Sequence, residues 1–221
     1  MTTGLSANTF KRLQLNAGAF FVGLDYADIS DVAALKVAVA QALDDESKCL
    51  GATRGGGTFE CTPEVRNIEA DGKRYEFVGS TVFDSWTVRM TGTLMEITPE
   101  NWQRVIAAAD VSEASGKKTI RARTDLLPRD YIGKLVWVGD TSEGLILIAL
   151  KNALNTTGAT FTFTDKGEGT LPFEFHAHQD SVDDMEYAPF EIVHLGGAAA
   201  VSASGASEEK PVGKASAKAS A

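Results

Sequence analysis

His176 and His178 are the residues whose spacing most directly suggests chemistry. Two positions apart on a strand, side chains point the same way, and such H-x-H pairs chelate metals. Asp180, Asp183, Asp184 and Glu186 follow closely and offer further ligands, which makes a metal-dependent, cupin-like enzyme one reading. Against it, no complete ligand pattern is evident, and two histidines on a strand before an acidic loop are more often a solvated edge. A second candidate is the glycine-rich run GATRGGGT. A phosphate-binding loop of the Walker type needs Gly-Lys followed by Ser or Thr, whereas here Gly57 is followed by Thr58 and then by strand-like sequence. The alternative is structural: a flexible arm, around 44–60, whose glycines adopt positive φ and order on packing against a neighbour. On that reading, valines at Gly56 and Gly57 should keep the arm from ordering and leave the rest of the chain folded. Cys49 and Cys61 match no metal spacing or CxxC motif and are expected as free thiols. No G-x-S-x-G, H-E-x-x-H or strand-borne G-x-G-x-x-G occurs, so no catalytic residue, no bound metal and no cofactor are expected.

The elements that would position these groups centre on residues 63–109. Val82, Trp86, Val88, Met90 and Leu94 alternate with Phe83, Ser85, Thr87, Arg89, Thr91 and Thr93, which predicts a strand over 81–97 with one apolar and one mostly polar face. Such a strand is roughly 50 Å long, well beyond the usual ~17–20 Å. Upstream, the Asp71-Gly72 pair predicts a tight hairpin turn between strands at 63–70 and 73–79. Downstream, Thr98 is placed to cap a helix with Pro99 and Glu100 in its first turn and Trp102, Val105, Ile106 and Ala109 along one face.

The order and spacing of three motifs resemble the tail tube proteins (major tail proteins) of long-tailed, non-contractile, siphovirus-type bacteriophages. They are the lead-in GATRGGGTFECTPEVRNIEADGKR, the strand-to-helix passage TVRMTGTLMEITPENW and the closing YAPFEIVHL. With the early KRLQLNAGAFF the similarity spans most of residues 8–195. The resemblance implies a mainly β fold with a flanking α-helix, a β-sandwich-like domain whose inner-sheet strands join those of neighbours into a ring-wide β-barrel. It implies a structural virion protein, not an enzyme, that polymerises as stacked hexameric rings into the tube through which the genome is ejected. Its partners would be itself, the tape measure protein, the tail terminator and baseplate proteins. Phage DNA would pass without specific binding, no membrane would be involved, and the subunit would be assembled in the host cytoplasm and end in the virion tail. On that plan Ser85, Thr87, Arg89, Thr91 and Thr93 face the lumen, and Arg54, Gly55, Gly56, Gly57 and Thr58 belong to an arm contacting the adjacent ring. A positive Arg89 in such a channel needs acidic partners, for which Glu64, Glu69 and Glu96 are candidates. A ring-forming tail terminator or hub protein is the alternative within the same fold.

Composition agrees with a folded, acidic protein. The 221 residues carry a formal charge of -9, with 43% apolar and 23% charged residues, which disfavours adhesion to nucleic acid phosphates. No stretch approaches the ~18 apolar residues of a membrane span, and the first residues lack the apolar core of a secretory signal. A helix is predicted after Ser30, with Val32, Leu35, Val39 and Leu43 on one face, a feature with no counterpart in the family pattern. The segment 111–118 reads as a polar connection. Strands are predicted at 13–23, 119–123, 131–139, 144–154, 160–164 and 170–178. Residues 1–195 form the expected domain. Residues 196–221, rich in Ala, Ser and Gly, read as a disordered tail. With three Lys and two Glu that tail carries +1, which puts -10 on the remainder.

Overall fold

The computed structural model describes residues 13–14, 16–45, 47–163, 165–182 and 186–196. Nine strands and two helices are defined among them: β1 (Ala19–Val22), α1 (Val32–Asp44), β2 (Thr53–Asn67), β3 (Thr81–Leu94), α2 (Pro99–Ile106), β4 (Ala109–Ala114), β5 (Lys117–Ala122), β6 (Ile132–Thr141), β7 (Gly144–Asn155), β8 (Leu171–His176) and β9 (Phe190–Gly196). The protein is therefore mainly β, as its alternating patterns predict.

Seven strands form one antiparallel sheet that folds over into two layers. Sheet 1 holds β1, β6, β7 and β9. Sheet 2 holds β2, β3 and β8. The two meet where the end of β7 pairs with the end of β8, Leu154 opposite His176 and Asn155 opposite Phe175. The apolar run Leu145–Leu150 sits in β7 and is covered on both faces, as its lack of alternation predicts. Leu150 and Ile148 join Phe20, Val88, Met90, Leu94, Phe173 and Phe175 in a core between the sheets, with Val105 and Trp102 of α2 packed in. Leu145, Leu147 and Ala149 face the other way, with Phe21 and Val136, onto Leu35 and Ala42 of α1. The order of layers is thus α1, sheet 1, sheet 2. Among the described residues no layer covers the far face of sheet 2.

The helices start where their capping chemistry dictates. Thr98 Oγ1 accepts from the Asn101 amide at 3.1 Å, and Pro99 occupies the first turn, where its missing N–H leaves nothing unpaired. α2 ends at Ala107, which adopts φ 68°, so Ala109 opens β4 and does not extend the helical face. α1 is capped by Asp31, whose Oδ1 accepts from the Ala34 amide at 2.7 Å, and Ser30 lies outside it. Leu43 is turned outward and Ala42 takes the buried place.

Turn geometry corrects the predicted hairpins. The Asp71-Gly72 turn exists, closed by the Lys73 amide on the Ala70 carbonyl at 3.0 Å, but only Gly72 has positive φ (85°). That is the type II pattern, which splays flanking strands, whereas the primed turns match their twist. Residues 68–80 accordingly form a loop, and the paired strands are β2 and β3. The primed geometry falls instead at Ser115 (φ 52°) and Gly116 (φ 77°), and 111–118 becomes the β4–β5 hairpin and not a polar connection. The strand expected at 160–164 reduces to one bridge, Thr162 with Thr170, and the first strand to β1 with an isolated bridge from Gln14 to Thr141. Gly196, the first residue of the predicted tail, is the last residue of β9. The rest of the predicted tail, 197–221, lies outside the described residues, as do Asp183 and Asp184 of the acidic loop. No described helix is long and apolar enough to cross a membrane.

Candidate assembly surface

The uncovered face of sheet 2 carries the row predicted from alternation. In β3, Val88, Met90 and Leu94 are buried while Thr87, Arg89, Thr91 and Thr93 lie on the opposite face. Register brings Glu60 opposite Arg89 and Thr62 opposite Thr87 on the β2 side, and Glu174 opposite Thr91 and His176 opposite Arg89 on the β8 side. Arg89 is held by both neighbours. Its Nε and Nη2 donate to Glu60 Oε2 at 2.9 and 2.7 Å, and its Nη1 donates to Glu174 Oε1 at 2.7 Å. Glu174 Oε1 also lies 3.0 Å from His176 Nε2. Ser85 extends the row by donating to Glu64 Oε2 at 2.7 Å.

The partners of Arg89 are therefore Glu60 and Glu174. Of the residues expected in that role, Glu64 serves Ser85, Glu96 accepts from the Ala52 amide at 2.7 Å, and Glu69 belongs to the 68–80 loop. Three carboxylates (Glu60, Glu64, Glu174) and one guanidinium leave this face at -2. The Arg89 hydrogen bond is the main cause that holds the Glu60 and Glu174 carboxyls below their ordinary 4.5. A depressed carboxyl contributes stability that is fully present above its unfolded value and is lost as pH falls through the folded one. Wild-type melting temperature should thus be level above about pH 4.5 and fall below it. Arg89→Gln should lower the neutral-pH plateau, by leaving two carboxylates facing each other, and flatten the acid fall. A thermal melt series from pH 7 to 3 reads both effects, and parallel profiles would contradict the arrangement.

Two bulges shape the β2–β3 ribbon. Glu64 and Val65 are consecutive, yet they pair with Ser85 and Phe83, so Asp84 is an extra residue. Beyond it the alternation changes phase. Phe83, expected in the polar row, instead packs on Trp86, ring centroids 5.3 Å apart. The second bulge lies between Thr53 and Gly57, where Gly55 and Gly56 take φ 76° and 75°. Gly57 then pairs with Gly92, and the absence of both side chains lets Phe20 and Phe173 lie against bare backbone: a Cβ on Gly57 would sit 2.6 Å from Phe20, and one on Gly92 2.6 Å from Phe173.

The glycine cluster is thus part of a bulged strand and not a free arm. Residues leading into it are also tied down, by the Val22 amide on the Lys48 carbonyl, the Leu50 amide on the Phe20 carbonyl and the Met95 amide on the Ala52 carbonyl. Arg54 makes an exposed ion pair with Glu168 at 3.3 Å, and Thr58 faces solvent. The expected outcome of substitution changes accordingly. Gly57→Val should destabilise the monomer itself by about 1–3 kcal/mol through overpacking against Phe20 and the Thr91 carbonyl. Gly55→Asn, which meets nothing within 4 Å and tolerates positive φ, should leave thermal stability within about 0.5 kcal/mol. Urea titrations of the two variants check this, and equal midpoints would contradict it.

His176 and His178 do not converge. His176 faces Glu174, while His178 Nδ1 lies 3.1 Å from the Asn152 carbonyl and its ring packs edge-on against Tyr131. Among the described residues no three His, Cys, Asp or Glu side chains are grouped to hold a metal. Cys49 and Cys61 are free thiols, packed against different clusters.

The sequence matches no protein-family model and no curated protein.

Proposed function

We propose that this chain is a structural subunit of a bacteriophage tail tube, polymerising as stacked rings around a channel for the genome. The observation that carries the proposal is the pairing of a bare polar sheet face with open strand edges on the same ribbon. Arg89 is neutralised within that face by Glu60 and Glu174, which leaves an acidic, hydroxyl-rich surface suited to repel a passing duplex. Among the described residues β2 pairs only with β3, and β8 covers only the Arg89–Leu94 part of β3. The outward-facing backbone groups of β2 and of residues 81–87 have no strand partner among the described residues and can receive a neighbour's strand. Closure around a ring would remove these edges, which otherwise invite aggregation. Pro63 within β2 fits an edge position, since proline donates nothing to a ladder. α1, on the opposite side of sheet 1, would then lie on the outside of the tube.

Negative-stain electron microscopy of the purified protein, with light scattering on the same sample, tests the reading. Long hollow tubes are expected. Single closed rings that never stack would favour the tail terminator or hub role, and a particle that stays monomeric at every concentration and with added tube seeds would overturn both.

A further inference from the structure

The two layers are closed at the β7–β8 side and open at the other, where the edges of β1 and β2 face each other. A cleft of about 180 Å³ opens there, lined by the apolar Phe20, Phe59, Met90, Trp137 and Ile148, by Gly57 and by the polar Gln14 and Thr58. An apolar cavity of about 150 Å³ is enough to take a benzene ring, so this cleft has room for one aromatic side chain against Phe20, Phe59 and Met90, with Gln14 and Thr58 beside it. Nothing in the described part of the chain fills it.

At the other end of β2 the chain carries apolar side chains with no cover. In the 68–80 loop Tyr75 is 77% exposed, Phe77 62% and Val78 fully so. The loop is preformed: the Ile68 amide donates to the Ser80 carbonyl at 2.8 Å, the Phe77 amide to Ser80 Oγ at 3.2 Å, and Lys73 Nζ to the Ile68 carbonyl at 2.9 Å and Ser80 Oγ at 3.1 Å. A knob already ordered loses little conformational freedom on docking. Three large exposed apolar groups within four residues of one built loop offer apolar surface for a contact.

We infer that Phe77 of one copy of this chain inserts into the Phe20–Phe59–Met90 cleft of the next, an inference that takes its occupant from the self-assembling reading above. The cleft and the knob cannot meet within one molecule, because Gly57 and Asn67 are ten residues apart on a paired strand, about 33 Å. A contact between two different patches is heterologous, and on repetition it closes into a ring or runs on as an open filament according to the rotation between copies. For copies stacked in the same orientation, the contact displaces each along the β2–β3 ribbon by about 33 Å. The glycine bulge flanks the cleft, since Gly55, Gly56 and Gly57 line the adjoining depression with Ala17 and Trp137. The role expected for residues 54–58 is then that of a socket rim.

Disulfide trapping tests the contact. In a background with Cys49 and Cys61 replaced by alanine, Val78→Cys protein mixed with Thr58→Cys protein should form a disulfide dimer on mild oxidation, and a chain carrying both substitutions should form a ladder. Val78→Cys mixed with Lys117→Cys, on the distant β4–β5 hairpin, sets the background. Adding Phe77→Ser to the Val78→Cys partner should slow trapping by about tenfold or more and leave the melting temperature unchanged, because Phe77 is exposed. Trapping no faster than the Lys117 control, or unaffected by Phe77→Ser, overturns the contact. Hollow tubes without trapping would sink this contact and keep the tube, whereas trapped ladders without a lumen would keep the contact and sink the tube.

Discussion

Phe175→Ala is expected to destabilise the monomer by about 3–5 kcal/mol, the range for removing a fully buried phenyl ring. Phe175 has no exposed surface. It sits where the two sheets join, opposite Asn155 of β7 and Met90 of β3, with the Phe173 ring 5.2 Å away. Little can move in to fill the space, because the flanking backbone is paired on both sides. Against the 5–15 kcal/mol typical of a domain, such a loss leaves little margin. Urea unfolding followed by circular dichroism reads it directly, with Phe163→Ala as the control, since Phe163 is 84% exposed and its loss should stay within about 0.5 kcal/mol. Equal midpoints for the two variants would contradict a core shared between the layers.

The second large effect concerns the polar face. Thr87→Lys with Thr91→Lys adds two cations per subunit beside Arg89 and turns the -2 of that face to zero. Both positions are half-exposed and point away from the core, so folding and polymerisation should survive. If the face lines a DNA channel, each ring then presents lysines that pair with phosphates and release counterions. Genome ejection from a particle built with the variant should slow by about tenfold or more at low salt and recover as salt is raised. Ejection at the wild-type rate, or slowing that salt does not relieve, would place this face elsewhere.

Alternation made the β3 row legible because side chains on a strand point to opposite faces whatever the tertiary fold. Thr87, Arg89, Thr91 and Thr93 are found on the face opposite the core for that reason alone. Phe83 was not legible, since a one-residue bulge at Asp84 shifts the phase, and alternation carries no mark of it. The partners of Arg89 depended on register. Asp71-Gly72 looked like the hairpin turn and hid it, while pairing β2 with β3 directly would have set Glu60 opposite Arg89. Ser115-Gly116, with both residues at positive φ, carried the hairpin that composition read as a connection. The glycine cluster was recognised as conformationally special, but its use, admitting Phe20 and Phe173 against the backbone, lies in contacts from distant strands. The H-x-H spacing points to His178 as the partner of His176, whereas the His176 ring meets Glu174 two residues away, within the Arg89 network.

A three-dimensional reconstruction of the assembled protein by electron cryo-microscopy tests the central claim most directly. A hollow tube is expected, with α1 outside and the Glu60–Arg89–Glu174 face of sheet 2 lining the lumen, the edges of β2 and β3 paired with neighbouring subunits. A solid filament, or a tube whose lumen is lined by α1 or by sheet 1, would contradict it.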